Sequence, residues 1–213
     1  MGAYLVIIGD VINSRVIKER QKIQTAFQKA LREAQREYES DIISPLTLTI
    51  GDEFQAVLTE ATRLFALLHR IELQLPDVRF RYGIGIGAIT TDINRRAAIG
   101  MDGPAFHFAR EAVEQARREN RRFVFACATP VIRRRVDLLF HWIDAVTGTW
   151  SREKQQILHL IRQRVTQKEI AARIGMSQPA VSQHVRHPLF RLVAQSQEVV
   201  QDELNLLLGT GNE

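Results

Sequence analysis

Three carboxylates raise the question of chemistry. Asp10 ends the apolar run AYLVII (3–8), while Asp52 and Glu53 sit at the tip of LTIGDEFQAVL (48–58). Two acids at a turn are most often solvent-exposed decoration between core strands. A third acid at the end of a neighbouring strand offers an alternative. In a split βαβ sheet the first strand lies beside the hairpin, so Asp10 and Asp52 can meet at one edge. Such an oxygen-rich pair suits Mg²⁺ or Mn²⁺, hard cations that bridge carboxylates to substrate phosphates. VINSR, directly after Asp10, leads into a helix N-terminus, where backbone N–H groups favour phosphate. Asn13 and Ser14 serve equally well as caps of that helix.

A second group of residues points to nucleic acid. QKEIAARIGMSQPAVSQHV (167–185) has the spacing of a helix-turn-helix. Thr166 and Glu169 make a capping box, Ala171 is small where two helices cross, and Gly175 supplies the turn. Ser177 caps the second helix and Pro179 sits in its first turn. Ile170, Ile174, Val181 and Val185 form a shared core. Ser177, Gln178, Ser182, Gln183 and Arg186 are left near the start and exposed side of that helix. Gln pairs with adenine and Arg with guanine or phosphate, so this surface suits DNA. The competing reading is a generic helical hairpin for protein contacts. Charge favours DNA: residues 151–195 carry eight Lys or Arg against two Glu, whereas 196–213 carry four acids and no base.

The elements that must position these residues fall into two blocks. AYLVII is a buried strand, and about 15 to 40 is an amphipathic helix with Ile23, Phe27, Ala30, Leu31 and Ala34 on one stripe. LTLTI and FQAVL make a hairpin about Gly51, and Glu60–Leu73 is a helix stopped by Pro76. RFRYGIGIGAI (79–89) is a strand whose glycines at 83, 85 and 87 leave one face bare for close approach. A helix over Asp102–Glu119 and a strand over 123–128 follow. The order β-α-β-β-α-β predicts a ferredoxin-like antiparallel sheet with helices on one face. From Ser151 every segment reads as helix, over Glu153–Arg164, Gln167–Ile174, Gln178–His187 and Leu189–Leu208.

GDVINSR, TIGDEFQAV, RYGIGIGAI and IGMDGPAFHFAREAVEQAR occur in the order and spacing of class III nucleotidyl cyclase catalytic domains, and the hairpin also resembles the GGDEF motif of diguanylate cyclases. With the helix-turn-helix behind it, the whole chain resembles the SatD family. The resemblance implies an α+β fold, with a cyclase-like domain over 1–147 and an all-α helix-turn-helix domain over 148–213. It makes Asp10 and Asp52 the metal pair for Mg²⁺ or Mn²⁺ and Val11–Arg15, including Asn13 and Ser14, the triphosphate cradle, beside Gly51. Gly85 and Gly87 fall on the glycine-flanked strand of cyclases. The pattern departs at His107, where cyclases place Asn. It departs again where a transition-state Arg would fall on Glu111, or on Arg110 after a one-residue slip. A Glu there opposes phosphoryl chemistry, which needs positive charge around the transferring group.

Composition narrows the function classes. The 213 residues carry a net charge of +5, and no apolar stretch approaches the roughly 20 residues of a membrane span. The N-terminus lacks the flanks of a signal peptide. Cys127 is the single cysteine, which leaves no intrachain disulfide. A cytoplasmic protein without membrane partners is expected. The paired arginines at 95–96, 117–118 and 121–122 and the run at 133–135 read as solvated surface, with Arg95, Arg96 and Arg110 bracketing the pocket. Three functions follow. The first is a homodimeric DNA-binding regulator whose cyclase-like part binds a purine nucleotide or related ligand. The others are an active metal-dependent purine nucleotide cyclase and a degenerate dimerisation scaffold.

Overall fold

β1 (Ala3–Val11) is the centre of the molecule, and every residue from Leu5 to Val11 is buried. A computed structural model describes residues 2–12, 20–49, 51–76 and 78–209. β1 pairs antiparallel with β3 (Glu53–Leu58) on one side and β4 (Phe80–Ala88) on the other. β2 (Ile42–Leu48) lies outside β3, and β5 (Phe123–Cys127) outside β4, giving the order β2-β3-β1-β4-β5.

The first four strands have the expected split βαβ arrangement. The sheet as a whole is mixed, because β5 runs parallel to β4. A strand that returns through a helix arrives parallel to the one it left, and α3 (Pro104–Arg118) makes that crossover. Helices accordingly cover both faces rather than one. α1 (Arg20–Glu37), α2 (Leu64–Leu73) and α4 (Pro130–Thr147) pack on the face carrying Leu5, Ile7, Phe54, Phe80, Tyr82 and Phe125. α3 packs on the other face, against Val6, Ile8 and Val57.

The bare glycine face is filled by α3 itself. A Cβ on Gly83 would collide with Val113 N and Ala109 O, and one on Gly85 with Ala109 N and Ala105 O. Alanines at 105, 109, 112 and 116 complete the close packing. α4 has no counterpart in the sequence expectation. Its start, PVIRRR, mixes β-branched residues with a charge run, and its buried Val136, Phe140, Ile143 and Thr147 are spaced as a helix face only beyond it.

The remaining helices are α5 (Arg152–Arg162), α6 (Gln167–Ile174), α7 (Gln178–Arg186) and α8 (Pro188–Gly209). α8 doubles back onto the α+β part: Asn205 Oδ1 accepts from Ala61 N at 2.7 Å, and Gln201 Nε2 donates to Thr62 O. One apolar cluster therefore runs from Leu5 and Ile7 through Ile157 and Phe190 to Leu204 and Leu208. Among the described residues no helix is long and apolar enough to cross a membrane.

Candidate functional site

Antiparallel register places Asp10 directly opposite Glu53 on β3 and Arg81 on β4. Directly opposed residues share a face, and this is the face that α3 covers. The hairpin tip therefore meets the end of β1, as the sequence suggests, with Asp52 one residue from the Asp10–Glu53 pair. Gly51 turns the hairpin with φ +71° and nothing within 4 Å of a Cβ placed there. Asp52 itself is half-buried.

Arginines close the site. Asp10, 6% exposed, accepts at Oδ2 from Arg81 Nη1 at 3.1 Å and from Arg117 Nη2 at 2.9 Å. Glu53 accepts a two-pronged bond from Arg110, at 2.6 and 2.7 Å, and a bond from the Thr49 hydroxyl at 3.2 Å. Arg110 and Arg117 stand two turns apart on α3, so one helix flank delivers both guanidinium groups. Bonding to Glu53 raises the pKa of Arg110, and bonding to Asp10 raises that of Arg117. Two carboxylates (Asp10, Glu53) thus meet three guanidinium groups (Arg81, Arg110, Arg117), with Asp52 next to Glu53 in the chain.

Divalent cations need uncompensated oxygen donors. Here Asp10 and Glu53 already hold guanidinium ligands, and among the described residues no group of three or more His, Cys, Asp or Glu could hold a metal. As arranged, Asp10 is held by two arginines, and Asp52 takes no part in the ion pairs of the described residues.

The other expected site residues are scattered. Val11 is buried in the apolar core. Asn13, Ser14 and Arg15 lie outside the described residues. His107 is exposed and places Nε2 2.8 Å from Asp102 Oδ1. Glu111 is ion-paired to Arg133 at 2.6 Å. Arg81 and Arg117 escaped the sequence reading. Arg81 sits two residues before Gly83 on the same strand face, and that parity was the available signal. Arg117 was hidden in a basic pair.

The helix-turn-helix has the expected local structure. Thr166 and Glu169 close the capping box, Gly175 is left-handed at φ 69°, and Ser177 Oγ accepts from Ala180 N. Ile170 and Val181 are fully buried, with Ile174 and Val185 packed beside them. Gln178, Pro179, Ser182, Gln183, Arg186 and His187 line one open groove along α7.

A family model described as the SatD family matches residues 4–204. The chain belongs to the SatD family. No curated protein matches it. Among solved structures, this SatD-family chain is similar to the dimeric guanylyl cyclase domain of the RhoGC fusion protein from the aquatic fungus Blastocladiella emersonii, at 15% identity and TM-score 0.41, over 54% of this chain and 74% of that one. It is also similar to the guanylate cyclase domain of RhGC from Catenaria anguillulae in complex with GTP, at 16% identity and TM-score 0.38, over 53% and 72%. In this SatD-family chain, Asp10 and Glu53 stand in an arginine cluster and the α7 groove faces outward.

Proposed function

We propose that this SatD-family chain is a cytoplasmic DNA-binding regulator. Residues 148–213 bind DNA, and residues 1–147 bind a purine nucleotide or related ligand around the hairpin tip, with Gly51, His107 and Arg110 at its rim. The observation that carries the reading is the α7 groove. It gathers two glutamine amides, a serine hydroxyl and an arginine on the outward side of a capped helix, the donor and acceptor set that base edges and phosphates require. The arginine-paired Asp10 and Glu53 favour ligand binding over catalysis, because binding does not need Asp10 and Asp52 to hold a metal.

Helix-turn-helix units read paired half-sites as dimers. α8, which follows α7 directly, offers a surface for that. Leu192, Val199 and Leu206 are 46%, 47% and 64% exposed and spaced seven apart, the period of a helix pairing seam.

Fluorescence anisotropy with a pool of duplex DNA tests the DNA reading. Binding is expected to weaken steeply with salt and to vanish in Arg186→Ala with Gln183→Ala. Retention of binding in that double variant sinks the assignment of α7. Incubation with ATP or GTP and Mn²⁺ separates regulator from cyclase: a cyclic product that disappears in Asp52→Ala would replace this reading with the enzymatic one.

A further inference from the structure

A cavity of about 40 Å³ lies where α2, α4, α5 and α8 meet the start of β5, with room for more than one water molecule. His69 on α2 and His159 on α5 line it, their ring centroids 4.7 Å apart. His69 Nε2 and His159 Nδ1 are buried with no hydrogen-bond partner, and His159 is only 6% exposed. Gln163 Nε2 stands 3.1 Å from His159 Nε2 and also donates to Glu37 Oε1 at 3.2 Å and to Tyr38 Oη at 3.4 Å. With its proton on Nδ1, His159 offers a hydrogen-bond donor to the cavity.

The charge balance at the cavity is uneven. Arg122 is paired with Glu72, which also accepts from Tyr82 Oη at 3.0 Å. Glu37 accepts from Arg70 Nε at 2.8 Å. Arg162 differs: Nη1 donates to Ala194 O and to Gln197 Oε1 at 3.4 and 3.0 Å, and Nη2 donates to Gln201 Oε1 at 2.8 Å. All three acceptors are neutral; burial lowers the pKa of this guanidinium, and Glu198, which makes no ion pair with it, offsets that only in part. A charge partly withdrawn from water without a bonded counter-charge is costly. Water could satisfy the imidazoles but would leave Arg162 without a bonded counter-charge, and a metal cation would face two guanidinium groups.

We infer that this junction cavity is a binding site for a small inorganic anion, held by Arg162 with the unpartnered nitrogens of His159 and His69. The anion neutralises Arg162 and ties α5 and α8 to α2. The site is independent of the proposed DNA and nucleotide surfaces.

Thermal melts of the full chain test this, with sodium bromide or sodium phosphate exchanged against sodium gluconate at constant ionic strength. The melting temperature is expected to rise saturably, by roughly 3–6 °C when the anion is at ten times its Kd. Arg162→Met is expected to lose that dependence, and Arg186→Ala to keep it. Equal melting in every salt, or an undiminished shift in Arg162→Met, overturns the assignment. Should Arg162→Met not fold, bromide-soaked crystals of the unaltered chain decide. An anomalous peak beside Arg162 and His159 supports the site, and no peak there overturns it.

Discussion

Asp10 and Arg81 are the ion pair in which loss of one partner should be felt most, since both side chains are only 8% exposed. Removing one member of a buried pair strands the other charge, at a cost of about 3–5 kcal/mol. Asp10→Ala is therefore expected to lower the urea unfolding free energy by that amount. Glu53→Gln, which loosens the partly exposed Arg110 contact, should cost less than about 1 kcal/mol. A small effect of Asp10→Ala would mean that Arg81 finds another partner. The two acids of the hairpin and Asp10 were legible as a group because strand order alone brings their backbone positions together. Their arginine partners were not. Charge pairing across a sheet depends on register and on where a helix lands, and neither Arg81 nor Arg117 carries a local pattern that reveals it.

α3 and the glycine strand show what one element demands of another. Gly83→Ala would drive a methyl group into the backbone of α3 at Ala109 and Val113, so the sheet and helix must separate. Loss of cooperative folding, or destabilisation by several kcal/mol, is expected in a denaturation series. Gly51→Ala meets open space and faces only the left-handed backbone, a cost of about 1 kcal/mol. Near-neutral Gly83→Ala would show that α3 sits further from β4. The sequence announced the bare face correctly and left its occupant open, because glycine at period two says that something approaches without saying what. The C-terminal helices were more legible, since caps and a turn glycine are local signals. α4 was missed for the converse reason: its first turns look like strand and surface, and only tertiary burial shows its apolar side.

At the scale of the molecule, the junction of the sheet with the C-terminal helices should respond to acid. Burial holds His69 at about 3 and His159 at about 4, so both are neutral in the fold. The unfolded chain takes up protons near 6.5. Between these values the unfolded state binds more protons, so stability is full above about pH 6.5 and falls as pH drops toward 3–4. Urea midpoints from pH 7.5 to 4 check this, with His69→Phe expected to flatten the slope. An unchanged slope would place the acid sensitivity elsewhere. Quaternary structure gives a second check. Val199→Arg with Leu206→Arg is expected to yield a monomer in light scattering and to weaken DNA binding at least tenfold. A variant that stays dimeric would move the interface off α8.

The return of α8 to the sheet also dictates when the protein can exist during its own synthesis. Leu204 and Leu208 belong to the same apolar cluster as Leu5 and Ile7. The first strand must therefore wait, through the emergence of about two hundred further residues, for its last neighbours to leave the ribosome. A stop codon near 190 would do more than remove part of the proposed DNA-binding unit. It would release a sheet with one wall open, a substrate for chaperones and proteases rather than a free-standing nucleotide-binding fragment.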